Sequence, residues 1–215
     1  RQGYLWVGTQ AGLARFDGAR FTVYTPENSP GLPGVWIQDL LVDPDNRLWV
    51  STYRGLAVRD PDGFREIPMA GAAAGTVIDT RDLVRTGEGE LLVAAPQGVF
   101  RVRGDELELA HPMSRPVTAL LAAADGLLVG QRGQVLRLAN GATELMPLPE
   151  GDEDTVVTEL IEAQGRLWAG TNAGLLAAQI LALSDPDLAA GLAAYRAELH
   201  AHHPEMDAPA DTLVE

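Results

Sequence analysis

The stretch Leu5-Trp6-Val7-Gly8-Thr9, followed by Gly12-Leu13 and then Asp17-Gly18, decides how this chain is read. Four related copies follow it. They are Leu48-Trp49-Val50-Ser51-Thr52, Leu91-Leu92-Val93-Ala94-Ala95, Leu127-Leu128-Val129-Gly130-Gln131 and Leu167-Trp168-Ala169-Gly170-Thr171. The offsets between copies are 43, 43, 36 and 40 residues. A period of this size belongs to propeller blades or to helical solenoid units.

The text around each copy separates those two possibilities. An apolar run precedes it, at residues 37–42, 78–84, 117–122 and 156–161. A short turn containing Gly12, Gly55, Gly98, Gly133 or Gly174 comes after it. A third run follows at 13–16, 56–59, 99–102 and 135–138. Hairpin signals come next, at Asp17-Gly18, Asp62-Gly63, Gly104-Asp105 and Asn140-Gly141, where tight turns need positive φ. A more polar run closes each unit, at 21–25, 64–67, 107–110 and 143–146. Four strand-length runs per repeat, without helical periodicity, predict an all-β chain of four-stranded propeller blades. The Trp-bearing strand is apolar on both sides, as for a sheet packed between two neighbours. The recurrent Trp6, Trp49 and Trp168 are therefore expected between blades, with the stems of Arg15, Arg59, Arg101 and Arg137 covering blade surfaces.

Residues 1–171 thus read as about four to five blades, the first and last incomplete. Closing the ring with residues 156–161 as the missing first strand would strand residues 166–171, so an open arc of a longer propeller is preferred. The opening Arg1-Gln2-Gly3, already inside a repeat, leads us to expect an internal piece of a longer chain. The net charge of −14 argues against nucleic acid or an anionic membrane as partner. No stretch approaches the roughly 18 apolar residues of a membrane span. With no cysteine, there is no disulfide, thiolate–metal site or thiol nucleophile.

The stretches LWVGTQAGLARFDGARFTVYT and VWIQDLLVDPDNRLWVSTYRGLAVRD resemble the two-component regulator propeller repeat. The resemblance covers residues 3–171 and is closest over 3–60. It departs at Leu92 and Leu128, which replace Trp, and at Ser51 and Ala94, which replace Gly. It implies a periplasmic, ligand-sensing propeller without catalysis of its own. The implied partners are an unidentified ligand and the remainder of a longer signalling chain, with a kinase or cyclase module as output; no cofactor is implied.

After Thr171 the composition changes. Residues 172–183 are rich in Ala and Leu, and a helix is expected there. Ser184-Asp185-Pro186 is a helix start, and Leu188, Leu192, Tyr195 and Leu199 then share one helix face. Residues 172–203 are read as a helical tail and 204–215 as a disordered terminus. The stretch NAGLLAAQILALSDPDLAAGLAAYRAEL resembles the C-terminal end of class I carboxyaminoimidazole ribonucleotide mutase. The Gly-rich loop and mid-chain histidine of that enzyme have no counterpart here, so no catalytic residue carries over. A purine-biosynthesis remnant and a non-native chimera joined near Asn172 are the alternatives to the sensory reading.

Site candidates are few. Trp36 stands just before an inner strand, where it would face the axial channel or its rim, and is the residue expected to contact a ligand. Asp43-Pro44-Asp45-Asn46 carries oxygen ligands but reads as a hairpin turn, without the Gly and Glu of a calcium loop. His111 is expected in a turn before Pro112. His200, His202 and His203 lack a supporting carboxylate cage, and no metal site is assigned to them.

Overall fold

The computed structural model describes residues 4–73, 75–148, 154–163 and 166–172. These residues are all-β. Blade I holds β1 (Leu5–Thr9), β2 (Gly12–Phe16) and β3 (Phe21–Tyr24). Blade II holds β4 (Ile37–Val42), β5 (Leu48–Thr52), β6 (Gly55–Asp60) and β7 (Gly63–Ile67). Blade III holds β8 (Leu83–Arg85), β9 (Leu91–Ala95), β10 (Gly98–Arg103) and β11 (Glu106–Pro112). Blade IV holds β12 (Val117–Ala123), β13 (Gly126–Gln131), β14 (Gln134–Ala139) and β15 (Ala142–Pro147). Blade V holds β16 (Val157–Ala163) and β17 (Arg166–Thr171). Each blade is an antiparallel meander, and the strands pair in chain order. Inner strands of successive blades lie side by side, β4 by β8, β8 by β12 and β12 by β16. The result is an arc of blades stacked about one axis. Of the helix expected over 172–183 only Asn172 is described, in a turn, where its N–H donates to the Val156 carbonyl at 3.1 Å. The rest of it, the His200–His203 group and the 204–215 terminus lie outside the described residues.

Two local expectations change. The run at 78–84 forms a strand only from Leu83. Thr80 instead gives its N–H to the Thr52 carbonyl of blade II at 3.0 Å, while Arg81 donates to Ala94 of β9 at 2.9 Å. The backbone changes partner sheet there, and the ladder cannot extend further back. His111 is in β11, opposite Val99, and not in a turn.

Alternation along the second strands sets the packing. Leu48 and Val50 face blade I, while Trp49 faces blade III. Leu91 and Val93 face blade II, and Leu92 and Ala94 face blade IV. Both faces are buried in blades II, III and IV, as expected of a sheet between neighbours. In β1 the pattern differs: Leu5 is 58% exposed, although its counterpart Leu48 is only 5% exposed. No described blade precedes β1 to cover Leu5, Val7, Phe21 and Val23. Trp6 still packs toward blade II, against Tyr24, with Arg15 and Arg59 over its ring. The expected arginine placement therefore holds on blades I and II.

The fourth residue of the Leu-Trp-Val-Gly-Thr motif meets the start of the next inner strand. A Cβ added to Gly8 would lie 2.8 Å from Ile37 Cγ2, and one added to Gly130 would lie 2.7 Å from Val157 Cγ1. Only glycine tolerates so close an approach. Where the position is Ser51, the facing residue is the polar Thr80, and the two hydroxyls bond at 3.0 Å. Where it is Ala94, it packs with Val117. The replacement of Gly by Ser is thus matched across the junction, whereas Ala94 meets a valine as Gly130 does.

The turn before the second strand explains the tryptophan. Asp43 Oδ2 accepts the Trp49 indole N–H at 2.9 Å and the Arg47 Nε–H at 2.8 Å, and Oδ1 accepts the Arg47 backbone N–H at 2.9 Å. Burial pushes the Asp43 carboxyl up, but these donors together hold it below the usual aspartate range. Blade III keeps the same turn with Thr86, whose Oγ1 accepts the Glu90 N–H at 3.1 Å. Asn46 and Gly89 occupy the same left-handed position of the two turns, at φ 62° and 90°. Leu92 has replaced Trp there, so no buried indole N–H needs a carboxylate. Asp43→Ala, which orphans the Trp49 indole, should cost about 2–3 kcal/mol of stability, and Thr86→Ala about 1 kcal/mol, in urea unfolding.

Candidate functional site

The connections between blades and the turns between second and third strands share one rim of the arc. On blade II this rim carries Trp36 and Tyr53. The Tyr53 N–H donates to the Trp36 carbonyl at 3.3 Å, which holds the two residues together. Their ring centres are 6.4 Å apart at an interplanar angle of 53°. Arg54 places its guanidinium 6.0 Å from the Tyr53 ring centre. Thr52 Oγ1 fixes the turn beneath them by accepting the Arg54 and Gly55 N–H groups, each at 3.1 Å. Trp36 is 48% exposed, so its face is open to solvent. The sequence places Trp36 at the channel or its rim, and the rim is where it stands. Tyr53 and Arg54 escape that reading. Their signal is the turn position itself, where the other blades have Gln10-Ala11, Pro96-Gln97 and Arg132-Gly133.

Farther round the rim, a cleft of about 400 Å³ is bordered by Arg81, Arg115, Thr118, Arg132 and Asp154. Its charges are engaged internally. Arg81 clasps Asp79 through two nitrogens at 3.0 and 2.9 Å, and Arg132 pairs with Asp154 at 3.0 Å. The larger cleft, about 510 Å³, lies between blades III and IV away from the axis. The short side chains Ala122, Ala123, Ala124 and Ala142 open it, and within it Arg101 is paired with Glu90 at 3.0 Å. His111 and Glu88 also stand on its lining.

The axis carries a different group. Asp39, Asp82 and Glu159 occupy the same place in three inner strands, each directly before a leucine; blade IV has Ala119 there. Asp39 Oδ1 accepts the Leu40 N–H at 2.7 Å, and Oδ2 accepts the Leu83 N–H at 2.8 Å. Asp82 Oδ1 accepts that same Leu83 N–H at 2.8 Å, and Oδ2 accepts the Leu120 N–H at 2.6 Å. Each carboxylate therefore reaches from its own blade to the backbone of the next. Burial raises the Asp39 carboxyl. Burial, with the neighbouring charges of Asp39 and Glu159, pushes Asp82 up to about 8. Glu159 is raised by burial and by Asp39. Three backbone N–H groups, that of Leu83 shared, serve the four oxygens of the Asp39–Asp82 pair, and two of these bonds cross a blade junction, so the pair joins blades. Sequence inspection misses it, although an acid before leucine inside an apolar run, repeated at blade spacing, is a usable signal. Among the described residues, no group of three His, Asp or Glu is placed to hold a metal ion. None of their helices is long and apolar enough to cross a membrane.

Comparison with known proteins places this geometry. Residues 31–54 match the family model of the two component regulator propeller. That segment contains Trp36, Tyr53 and Arg54. No curated protein sequence matches the chain. Among solved structures, it is similar to the extracellular domain of a protein described as a hybrid two component system of B. thetaiotaomicron, with TM-score 0.66, 20% identity, 80% of this chain and 25% of that one covered. A second such extracellular domain from the same organism gives 0.62, 17%, 80% and 24%. Virginiamycin B lyase from Staphylococcus aureus, solved with quinupristin, gives 0.61, 15%, 80% and 60%. At these identities the likeness is one of fold. The chain spans about a quarter of the length of the extracellular domains. Nothing in these comparisons supports the resemblance of the tail to the mutase.

Because the Trp36–Tyr53 pair is exposed, its removal should leave the fold nearly untouched. Trp36→Ala is expected to change unfolding free energy by less than about 1 kcal/mol, checked by thermal and urea denaturation.

Proposed function

We propose that this chain is a non-catalytic, ligand-binding propeller segment of a bacterial signalling protein, and that its ligand docks on the Trp36–Tyr53–Arg54 rim of blade II. The carrying observation is an exposed aromatic pair beside a guanidinium, held by a rigid turn within the segment that matches the regulator propeller family. Exposed rings offer flat apolar faces for stacking, and the arginine adds a charge that selects anionic groups. The ligand class that fits is a small molecule with a flat face and a carboxylate. The extracellular origin of the structurally similar two component domains favours a periplasmic or extracellular setting. It also favours an output module, kinase or cyclase, elsewhere in a longer protein.

The engaged axial carboxylates support the non-catalytic reading. In this reading Asp39 and Asp82 spend their acceptor capacity on blade junctions, and among the described residues no nucleophile stands beside a base on the rim. The mutase and chimera alternatives rest on residues 172–215, of which only Asn172 is among the described residues.

Titration with uronic acids and with aromatic carboxylates, read by tryptophan fluorescence, should give a saturable change. Trp36→Ala should weaken that binding at least tenfold, and Arg54→Gln should weaken binding of the acids selectively. Binding that survives Trp36→Ala unchanged contradicts the placement of the site. Chemical conversion of the bound compound contradicts the non-catalytic reading.

A further inference from the structure

Two carboxylates converge on one hydrogen. The Leu83 N–H is shared between Asp39 Oδ2 and Asp82 Oδ1, each at 2.8 Å. One donor cannot neutralise two anions held this close, and among the described residues the surroundings supply no cation. From β4 comes Asp39 itself, and from β16 comes Glu159, a third acid. Arg81 adjoins Asp82 in sequence but is committed to Asp79, which also accepts from Gln38 at 3.2 Å. β9 and β12 present Val93, Ala94, Ala119 and Leu120, all apolar and buried. Two like charges in such a place retain a proton between them.

We propose that Asp39 and Asp82 hold one proton between them, and that this proton fastens blade III to both neighbours, so that its loss in mildly alkaline solution loosens the junctions. With the proton present, one carboxyl donates to the other, and the outer oxygens keep the Leu40 and Leu120 N–H groups. On its loss the proton goes to solvent, and two carboxylates with Glu159 repel across the axis. The Asp39 link joins blade II to III and the Asp82 link joins III to IV, so both junctions weaken together. Blade IV has Ala119 at the equivalent place, so the device ends there. This inference concerns the fold's response to pH and does not rest on the rim site.

The sign is opposite to that of a salt-bridged carboxylate. The folded chain binds this proton more tightly than the unfolded one. Its contribution is therefore complete below the ordinary aspartate value of 3.8 and declines as pH rises toward about 8. The melting temperature of the full chain should fall by about 5 °C or more between pH 5.5 and pH 8.5. Asp82→Asn keeps an oxygen for Leu120 and gains an N–H for Asp39, while the Leu83 N–H, losing Asp82 Oδ1, keeps Asp39 Oδ2 as its acceptor. It should match the parent near pH 5.5, melt higher than the parent at pH 8.5, and show a much flatter slope between them. A parallel slope, or equal loss of stability at both pH values, overturns the proposal. Carboxyl-carbon NMR of the unmutated chain is the independent measurement. One of the two aspartates should titrate above pH 6.5; both titrating below pH 5 overturns the proposal whether or not the variant folds.

Discussion

Neighbouring blades meet where the fourth motif residue of one blade receives a residue at or just before the start of the next inner strand. Gly8 receives Ile37, Ser51 receives Thr80, Ala94 packs with Val117, and Gly130 receives Val157. The approach is too close for a large side chain on the receiving side. This contact sets the spacing of the inner strands, and the rest of the arc depends on it. It brings β4, β8, β12 and β16 together around the axis. It also fixes where the residue two positions on must lie, which is how Asp39 comes to touch the backbone of Leu83. Buried Thr80 adds to the same junction by donating to the Thr52 or Gly55 carbonyl, both 3.0 Å away. Packing at the strand starts therefore leads directly to electrostatics at the axis.

The same contact separates two chemical regions. The axis is acidic and its oxygens are used internally. The rim is where side chains without a packing duty accumulate, because the inter-blade connections end there. Trp36, Tyr53 and Arg54 stand over a turn locked by Thr52, so an adaptable aromatic surface sits on an unyielding base. A rigid scaffold with a variable rim is how propellers carry unrelated functions, and the fold by itself does not select one. The similarity to both signalling domains and a lyase illustrates this.

Strand order, blade spacing and the inter-blade place of Trp49 were legible in the sequence because they follow from period and alternation. Trp36 stands out in the sequence as an aromatic just before an inner strand, and the structure puts it beside Tyr53. The rest depends on distances the linear text hides. Tyr53 gains meaning only when a turn folds it onto Trp36. Asp43 reads as turn chemistry until the chain brings the Trp49 indole to it, although the joint change to Thr86 and Leu92 records that bond. Asp39 and Asp82 read as polar interruptions of apolar runs; that they share one amide hydrogen is visible only across a blade junction. The early end of β8 follows from the same cause, since the backbone at Thr80 turns to blade II.

The most direct test of this account is a double-mutant cycle between Gly8 and Ile37, measured by urea unfolding. Gly8→Ala places a Cβ against Ile37 Cγ2, and Ile37→Ala removes that methyl. If the junction is set by this contact, the two changes compensate with a coupling of about 1 kcal/mol or more, the double variant being more stable than the sum of the single effects implies. Strict additivity would contradict the claim that this contact governs how the blades stack.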